Sequence, residues 1–161
     1  MQNITTGQAP APQTPLISFV IPDYNMPFTL LEECLDSILA LELDDSEREI
    51  ILVDDGSDDS PLPLLDNYRD HLVYVRQANG GLSAARNRGL QLCSGRYIQF
   101  VDGDDKLIPP AYNKLLAYLR EHTDTDMLLF HHTVKDKAGN AETAFCEPLS
   151  GTSFMRHNNL R

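Results

Sequence analysis

At 161 residues the chain has the length for one α/β domain with its own core, and too little for two of ordinary size. Its 42% apolar and 23% charged content is that of a globular protein, which excludes a low-complexity or fibrous chain. A formal net charge of −11 leaves no basic surplus for a phosphate backbone, so no nucleic acid is expected as a partner.

Residues Met1 to Pro15 are polar and rich in Pro, Gln, Thr and Ala, and read as a disordered leader. Leu16 to Ile21 is a short, nearly continuous apolar run, as in a parallel strand buried on both faces, and it stops at the turn residues Pro22-Asp23-Tyr24-Asn25. From Pro27 to Leu41 the period becomes helical, with Leu31, Leu35, Ile38 and Leu41 on one side. Glu49 to Val53 is a second buried strand, ending in Asp54-Asp55-Gly56-Ser57-Asp58-Asp59. A short helix over Pro61–Tyr68, a strand over Leu72–Val75, a helix over Leu82–Cys93 and a strand over Tyr97–Val101 follow. Pro109 to Glu121 predicts a further helix and Asp126 to His131 a fifth strand. The expected divisions are a leader over 1–15, one domain over 16–134, and over 135–161 the start of a further, truncated region.

Alternating strands and helices give a mostly parallel sheet with helices on both faces, and in such sheets ligands collect outside the carboxyl ends of the strands. The unusual loops all fall there: after strand one, after strand two, at Gln77–Ser83 after strand three, and at Asp102–Asp105 after strand four. Asp102-Gly103-Asp104-Asp105 places three carboxylates in four residues, a cluster that a hard cation such as Mg²⁺ or Mn²⁺ would screen. Gly103 is expected to turn the backbone so that Asp102 and Asp104 converge. Asn79-Gly80-Gly81 opens a helix carrying Arg86 and Arg88, which suits an anion at the helix N-terminus. The same residues read equally as an ordinary loop–helix junction whose arginines pair with nearby acids. A divalent cation on Asp102 and Asp104 reconciles an acidic edge with a diphosphate, while Tyr24 could stack on a base and Asp54 or Asp55 accept hydrogen bonds from a base or ribose.

In this order the motifs Pro22-Asp23-Tyr24-Asn25, Asp54-Asp55-Gly56-Ser57, Asn79-Gly80-Gly81-Leu82-Ser83-Ala84-Ala85-Arg86 and Asp102-Gly103-Asp104-Asp105 resemble those of the family 2 glycosyltransferases, over roughly Leu16 to Glu121. The resemblance implies the Rossmann-like GT-A fold and metal-dependent, inverting sugar transfer, with polysaccharide synthesis as the family's common role. The donor implied is a nucleotide-diphosphate sugar, a UDP-sugar first among them, and the acceptor a glycan or a lipid-linked group. By similarity Pro22 and Tyr24 lie against the base with Asn25 beside them, and Asp54 or Asp55 contacts base or ribose. Gly80 and Arg86 lie close to the nucleotide, Asp102 with Gly103 faces the ribose or metal, and Asp104 coordinates Mn²⁺ or Mg²⁺. The family's catalytic base follows the Asp-x-Asp motif, commonly in a Glu-Asp pair; after Phe130 the chain offers only Asp136, Glu142 and Glu147, so the base is expected beyond Arg161.

Three readings on other lines compete with this one. A signalling receiver domain would need a Lys at a later strand end, for which Asp102 followed by Lys106 is a poor match. The second is a non-enzymatic nucleotide- or Ca²⁺-binding module, for which Asp54–Asp59 has some look of a Ca²⁺ loop but lacks the EF-hand spacing and its terminal Glu. A nucleotidylyltransferase would carry a glycine-rich loop where Pro22–Asn25 stands. The odd, scattered Cys34, Cys93 and Cys146 read as reduced thiols, and His131 and His132 as strand-end residues. No apolar run approaches the roughly 20 residues of a membrane span. The expected location is the cytoplasm, with peripheral membrane contact left open.

Overall fold

The computed structural model describes residues 14–130. Residues 1–13 of the leader, His131, His132, Cys146 and the acids Asp136, Glu142 and Glu147 lie outside the described residues. The chain divides into two compact units, Met1–Pro109 and Pro110–Arg161.

The first unit carries β1 (Ile17–Asp23), α1 (Phe28–Leu39), β2 (Arg48–Asp54), α2 (Leu62–Leu65), β3 (Val73–Arg76), α3 (Leu82–Leu90) and β4 (Tyr97–Phe100). The strands form a parallel sheet in the order β3-β2-β1-β4. The chain therefore steps outward from β1 to β3 and then returns to the far side of β1. Right-handed crossovers put α1 and α2 on one face and send α3 to the other, so the direction reverses between β1 and β4.

Burial follows the strand period. Val20, Ile51 and Val53 face α3, and Ala85 of that helix packs with Ile51 and Val53. Gly89 lets α3 settle directly on β1, since a Cβ there would stand 2.2 Å from Val20 Cγ1. On the opposite face Phe19, Ile21, Ile50 and Leu52 are buried. The buried stripe of α1 is Leu31, Cys34, Leu35 and Ile38, an i, i+3, i+4, i+7 set. Each fully buried Leu or Ile of these layers contributes about 1.5–3 kcal/mol.

Three expectations are corrected. β1 does not stop at Ile21 but runs through Pro22 to Asp23, pairing Asp23 with Asp54. Pro22 is tolerated because the carbonyl of Val20, two residues earlier, accepts from Val101 on the β4 side, so the absent Pro22 N–H faces that same side. The β1–β4 ladder ends at Val20↔Phe100 while the β1–β2 ladder continues, and the sheet opens between β1 and β4. The helices are shorter than their patterns: α1 ends at Leu39, α2 covers only Leu62–Leu65, and α3 ends at Leu90. The fifth strand is reduced to isolated bridge pairings at Met127 and Phe130. Met127 and Leu129 are exposed there, so the run lacks the cover on both faces that its composition suggested.

In the second unit α4 (Pro109–Glu121) buries Tyr112, Leu115, Leu116 and Leu119. Tyr112 meets Phe130 edge-to-face, with ring centroids 5.8 Å apart. Among the described residues no helix is long and apolar enough to cross a membrane.

Candidate functional site

A cleft of about 430 Å³ opens outside the carboxyl ends of the strands, where β1 and β4 part. Pro22, Asp23, Tyr24 and Met26 line it from β1, Asp55 from β2, Asn79, Gly81, Leu82 and Ala85 from α3 and its entry, and Asp102, Gly103 and Asp104 from β4. Four carboxylates thus border the cleft, and its lining contains no Lys or Arg.

The acids differ in what already holds them. Asp54 is fully buried and lies outside the lining. Its Oδ1 accepts from the backbone N–H groups of Gly56 at 3.1 Å and Ser57 at 2.8 Å, and its Oδ2 accepts from the Tyr74 hydroxyl at 2.7 Å. Arg76 stands 3.4 Å from the same Oδ2. Burial works against ionisation of Asp54, but these hydrogen bonds and the Arg76 charge outweigh it and hold the carboxyl below its usual value. The turn that delivers the two N–H groups requires glycine, because Gly56 has φ +86°.

Asp55 lines the cleft and is also heavily engaged. Its Oδ1 accepts from Gln77 Nε2 at 2.6 Å and Gly80 N–H at 3.0 Å, and its Oδ2 from Gly81 N–H at 2.7 Å. Again burial raises its pKa and the hydrogen bonds from Gln77, Gly80 and Gly81 lower it by more. The glycine loop expected to cradle a phosphate therefore gives these two N–H groups to a carboxylate of its own chain. That carboxylate fixes the entry of α3. Asn25 likewise serves the scaffold: its backbone N–H donates to Ser57 Oγ at 2.9 Å, and its side chain exchanges hydrogen bonds with Asp58.

The loop after β4 is anchored on α1. Cys34 Sγ lies 3.8 Å from the Asp102 carbonyl, Ser37 Oγ accepts from the Leu107 N–H at 3.0 Å, and Lys106 pairs with Glu33. The Cys34 thiol is pushed up to about 12, first by burial and then by the charges of Asp105, Asp104 and Asp102, so it is no nucleophile. A turn closed by Asp105 N–H on Asp102 O at 2.9 Å brings Asp102 and Asp104 to the same cleft. Gly103 is not needed for that turn, because positive φ among glycines occurs only at Gly56 and Gly81 of the described residues. Arg86 is held by Asp102, Nη2 to Oδ1 at 2.6 Å, and its guanidinium lies 5.7 Å from the Phe100 ring centre. The arginine-to-acid alternative is what the structure shows for this residue. Arg88 turns to Gln91.

Among the described residues no group of three or more His, Cys, Asp or Glu is assembled to hold a metal ion. Two carboxylates, Asp102 and Asp104, share the cleft wall, a donor set that suits Mg²⁺ or Mn²⁺ when a ligand supplies further oxygens. Tyr24, 52% exposed, stands in the cleft lining.

This ordered set of strand-end loops has counterparts. The sequence model of Glycosyl transferase family 2 matches residues 18–156. The chain belongs to that family. EpsJ, an uncharacterized glycosyltransferase of Bacillus subtilis (strain 168), is 47% identical over 105 residues, covering 63% of this chain and 29% of EpsJ. A poly(ribitol-phosphate) beta-glucosyltransferase of Bacillus spizizenii is 42% identical over 111 residues, 66% of this chain and 17% of that enzyme. The family 2 chain therefore spans well under half the length of either relative. S. aureus TarS 1-349, crystallised with UDP-GlcNAc, superposes with a TM-score of 0.61 at 29% identity, over 68% of this chain and 32% of that TarS chain. The GT-A arrangement expected from the motifs is thus the fold of this chain.

Sequence reasoning gave no role of their own to Asp23, Met26, Leu82 and Ala85 of the lining or to the supporting trio Ser57, Tyr74 and Gln77, although Asp23, Ser57, Leu82 and Ala85 stand inside the motifs. Only Asp23 carried a signal: it continues the buried alternation Ile17, Phe19, Ile21 with a carboxylate.

Proposed function

We infer that this chain carries the donor-binding part of a glycosyltransferase that moves a sugar from a UDP-sugar to a hydroxyl of a glycan or lipid-linked acceptor, in the synthesis of a surface polysaccharide. The observation that carries this reading is the cleft itself: four carboxylates and no Lys or Arg border the place where an α/β sheet of this topology binds ligands. A diphosphate can enter such a cleft only with a cation. Asp102 and Asp104 would hold Mn²⁺ or Mg²⁺, which when bound neutralises charge on the departing nucleoside diphosphate.

The chain's own residues do the rest. Tyr24 stacks on the base, and Pro22 shapes the floor beneath it. Asp55 fixes the glycine loop, and its Oδ2, which accepts one N–H, has room for a donor from base or ribose. Arg86 orients Asp102 toward the ribose side. Transfer proceeds with inversion, and proton NMR of the first-formed product reads this directly; a retained anomeric configuration contradicts it.

The test of donor binding is calorimetric titration of UDP, GDP and CMP into the protein with Mn²⁺ present. UDP is expected to bind and CMP, lacking the second phosphate, to bind far more weakly. Equal binding of all three, or of none, contradicts the reading.

A further inference from the structure

One polar atom of the cleft wall is left without a partner. Asp23 is 3% exposed, and its Oδ1 is buried with no hydrogen bond. Its other oxygen, Oδ2, accepts from the Ser57 hydroxyl at 3.2 Å. The Met26 backbone N–H lies near enough to favour the carboxylate, but neither it nor any other group makes a hydrogen bond to Oδ1. Asp54, its register partner on β2, is itself an acceptor, already engaged by its own loop and by Tyr74 of β3. Pro22 has no N–H, the Ser57 hydroxyl has only one proton, and the Asn25 N–H is given to Ser57 Oγ. Burial, and then the charge of Asp54, raise the Asp23 pKa against the lowering by Ser57 and the Met26 backbone. An acid placed at the end of a buried apolar stripe, beside another acid and short of a donor, is a local conflict of the kind found at functional sites.

We propose that Asp23 is a nucleotide-binding residue, its Oδ1 accepting a hydrogen bond from an N–H or O–H donor of the nucleotide in the cleft. The proposal rests on the donor-site reading above. The donor is either the ring N–H of the base or a ribose hydroxyl; both are short, neutral donors that a single free carboxyl oxygen can take. Because Oδ2 is already occupied by Ser57, Asp23 contributes one contact rather than a bidentate one, and it discriminates between nucleotides by the presence of that one donor.

The experiment titrates UDP, N3-methyl-UDP, 2′-deoxy-UDP and 3′-deoxy-UDP, with Mn²⁺, into the wild-type chain and into Asp23→Ala and Asp23→Asn, each variant checked for folding by circular dichroism. In the wild type the analogue lacking the critical donor is expected to bind about tenfold more weakly than UDP, about 1.4 kcal/mol. In Asp23→Ala that penalty collapses, and UDP falls to the analogue's level. Collapse on the N3-methyl arm assigns the base, and collapse on a deoxy arm assigns the ribose. If every wild-type penalty survives in Asp23→Ala, or if UDP affinity is unchanged in both variants, the oxygen is served by water alone and the proposal is overturned. If the wild type binds no UDP at all, the donor-site reading falls and takes this proposal with it. Should Asp23→Ala misfold, the near-isosteric Asp23→Asn carries the same comparison.

Discussion

The two ends of the sheet use carboxylates in opposite ways. At the amino end Glu49 joins β1, β2 and the turn before β4: it accepts from Ser18 Oγ at 2.5 Å, Ser94 N–H at 2.8 Å and Ser94 Oγ at 2.8 Å, while Ser18 Oγ in turn accepts from Gly95 N–H. At the carboxyl end Asp54 is held just as fully, but Asp23, Asp102, Asp104 and the Oδ2 of Asp55 stand around a cleft with acceptor capacity to spare. Counting partners separates acids that build the fold from acids available to a ligand. Position in a conspicuous motif does not.

The largest break in this contrast should come from Asp54→Ala. It removes a fully buried acceptor of three hydrogen bonds and strands the N–H groups of Gly56 and Ser57. A loss of about 3–4 kcal/mol is expected, read as a lowered urea midpoint. A change below about 1 kcal/mol would show that the loop does not depend on Asp54. At the other end Glu49→Ala should cost about 2 kcal/mol, less because Ser94 is exposed, and leave UDP affinity untouched. Weakened UDP binding in that variant would mean the two ends are not independent.

Titration sharpens the same contrast. Glu49, Asp54 and Asp55 have carboxyls lowered in the fold, each because hydrogen bonds outweigh burial. Their contribution is full above the unfolded value of about 4 and is lost as pH falls through the folded values. Asp23 runs the other way: its raised pKa opposes folding once pH exceeds the unfolded value, and that opposition fades as pH falls. Stability should therefore decline steeply below about pH 4, and Asp23→Asn should remove a rise between pH 7 and pH 4. Urea midpoints across that range decide it; a wild-type stability still rising below pH 3 contradicts the assignment.

Much of the framework was legible before any coordinates. The apolar runs at Leu16–Ile21 and Glu49–Val53 mark strands buried on both faces, and α1 follows from the spacing of Leu31, Leu35 and Ile38. Loops at four strand ends place the cleft on one edge of the sheet. What stayed hidden depends on partners rather than pattern. Pro22 and Asp23 look like a turn unless one knows that β4 ends early and frees the Pro22 side of β1. Asp54 and Asp102 are the same residue type in similar loops, yet one is enclosed by N–H groups and the other half exposed beside Arg86. The run Met127–Phe130 has strand composition, but composition cannot supply the layers a buried strand needs.

The smallest expected effect on stability is also the most informative for function. Asp104→Ala alters an exposed loop acid and should shift the urea midpoint by less than about 0.5 kcal/mol. The decisive measurement is calorimetric titration of UDP into the wild type and Asp104→Ala, each with Mn²⁺ and again with EDTA. Binding by the wild type in Mn²⁺, its loss in EDTA, and its loss in the variant under both conditions are expected. UDP binding of equal strength with and without metal, or unaltered binding by Asp104→Ala, would contradict a cation-bridged diphosphate in this cleft.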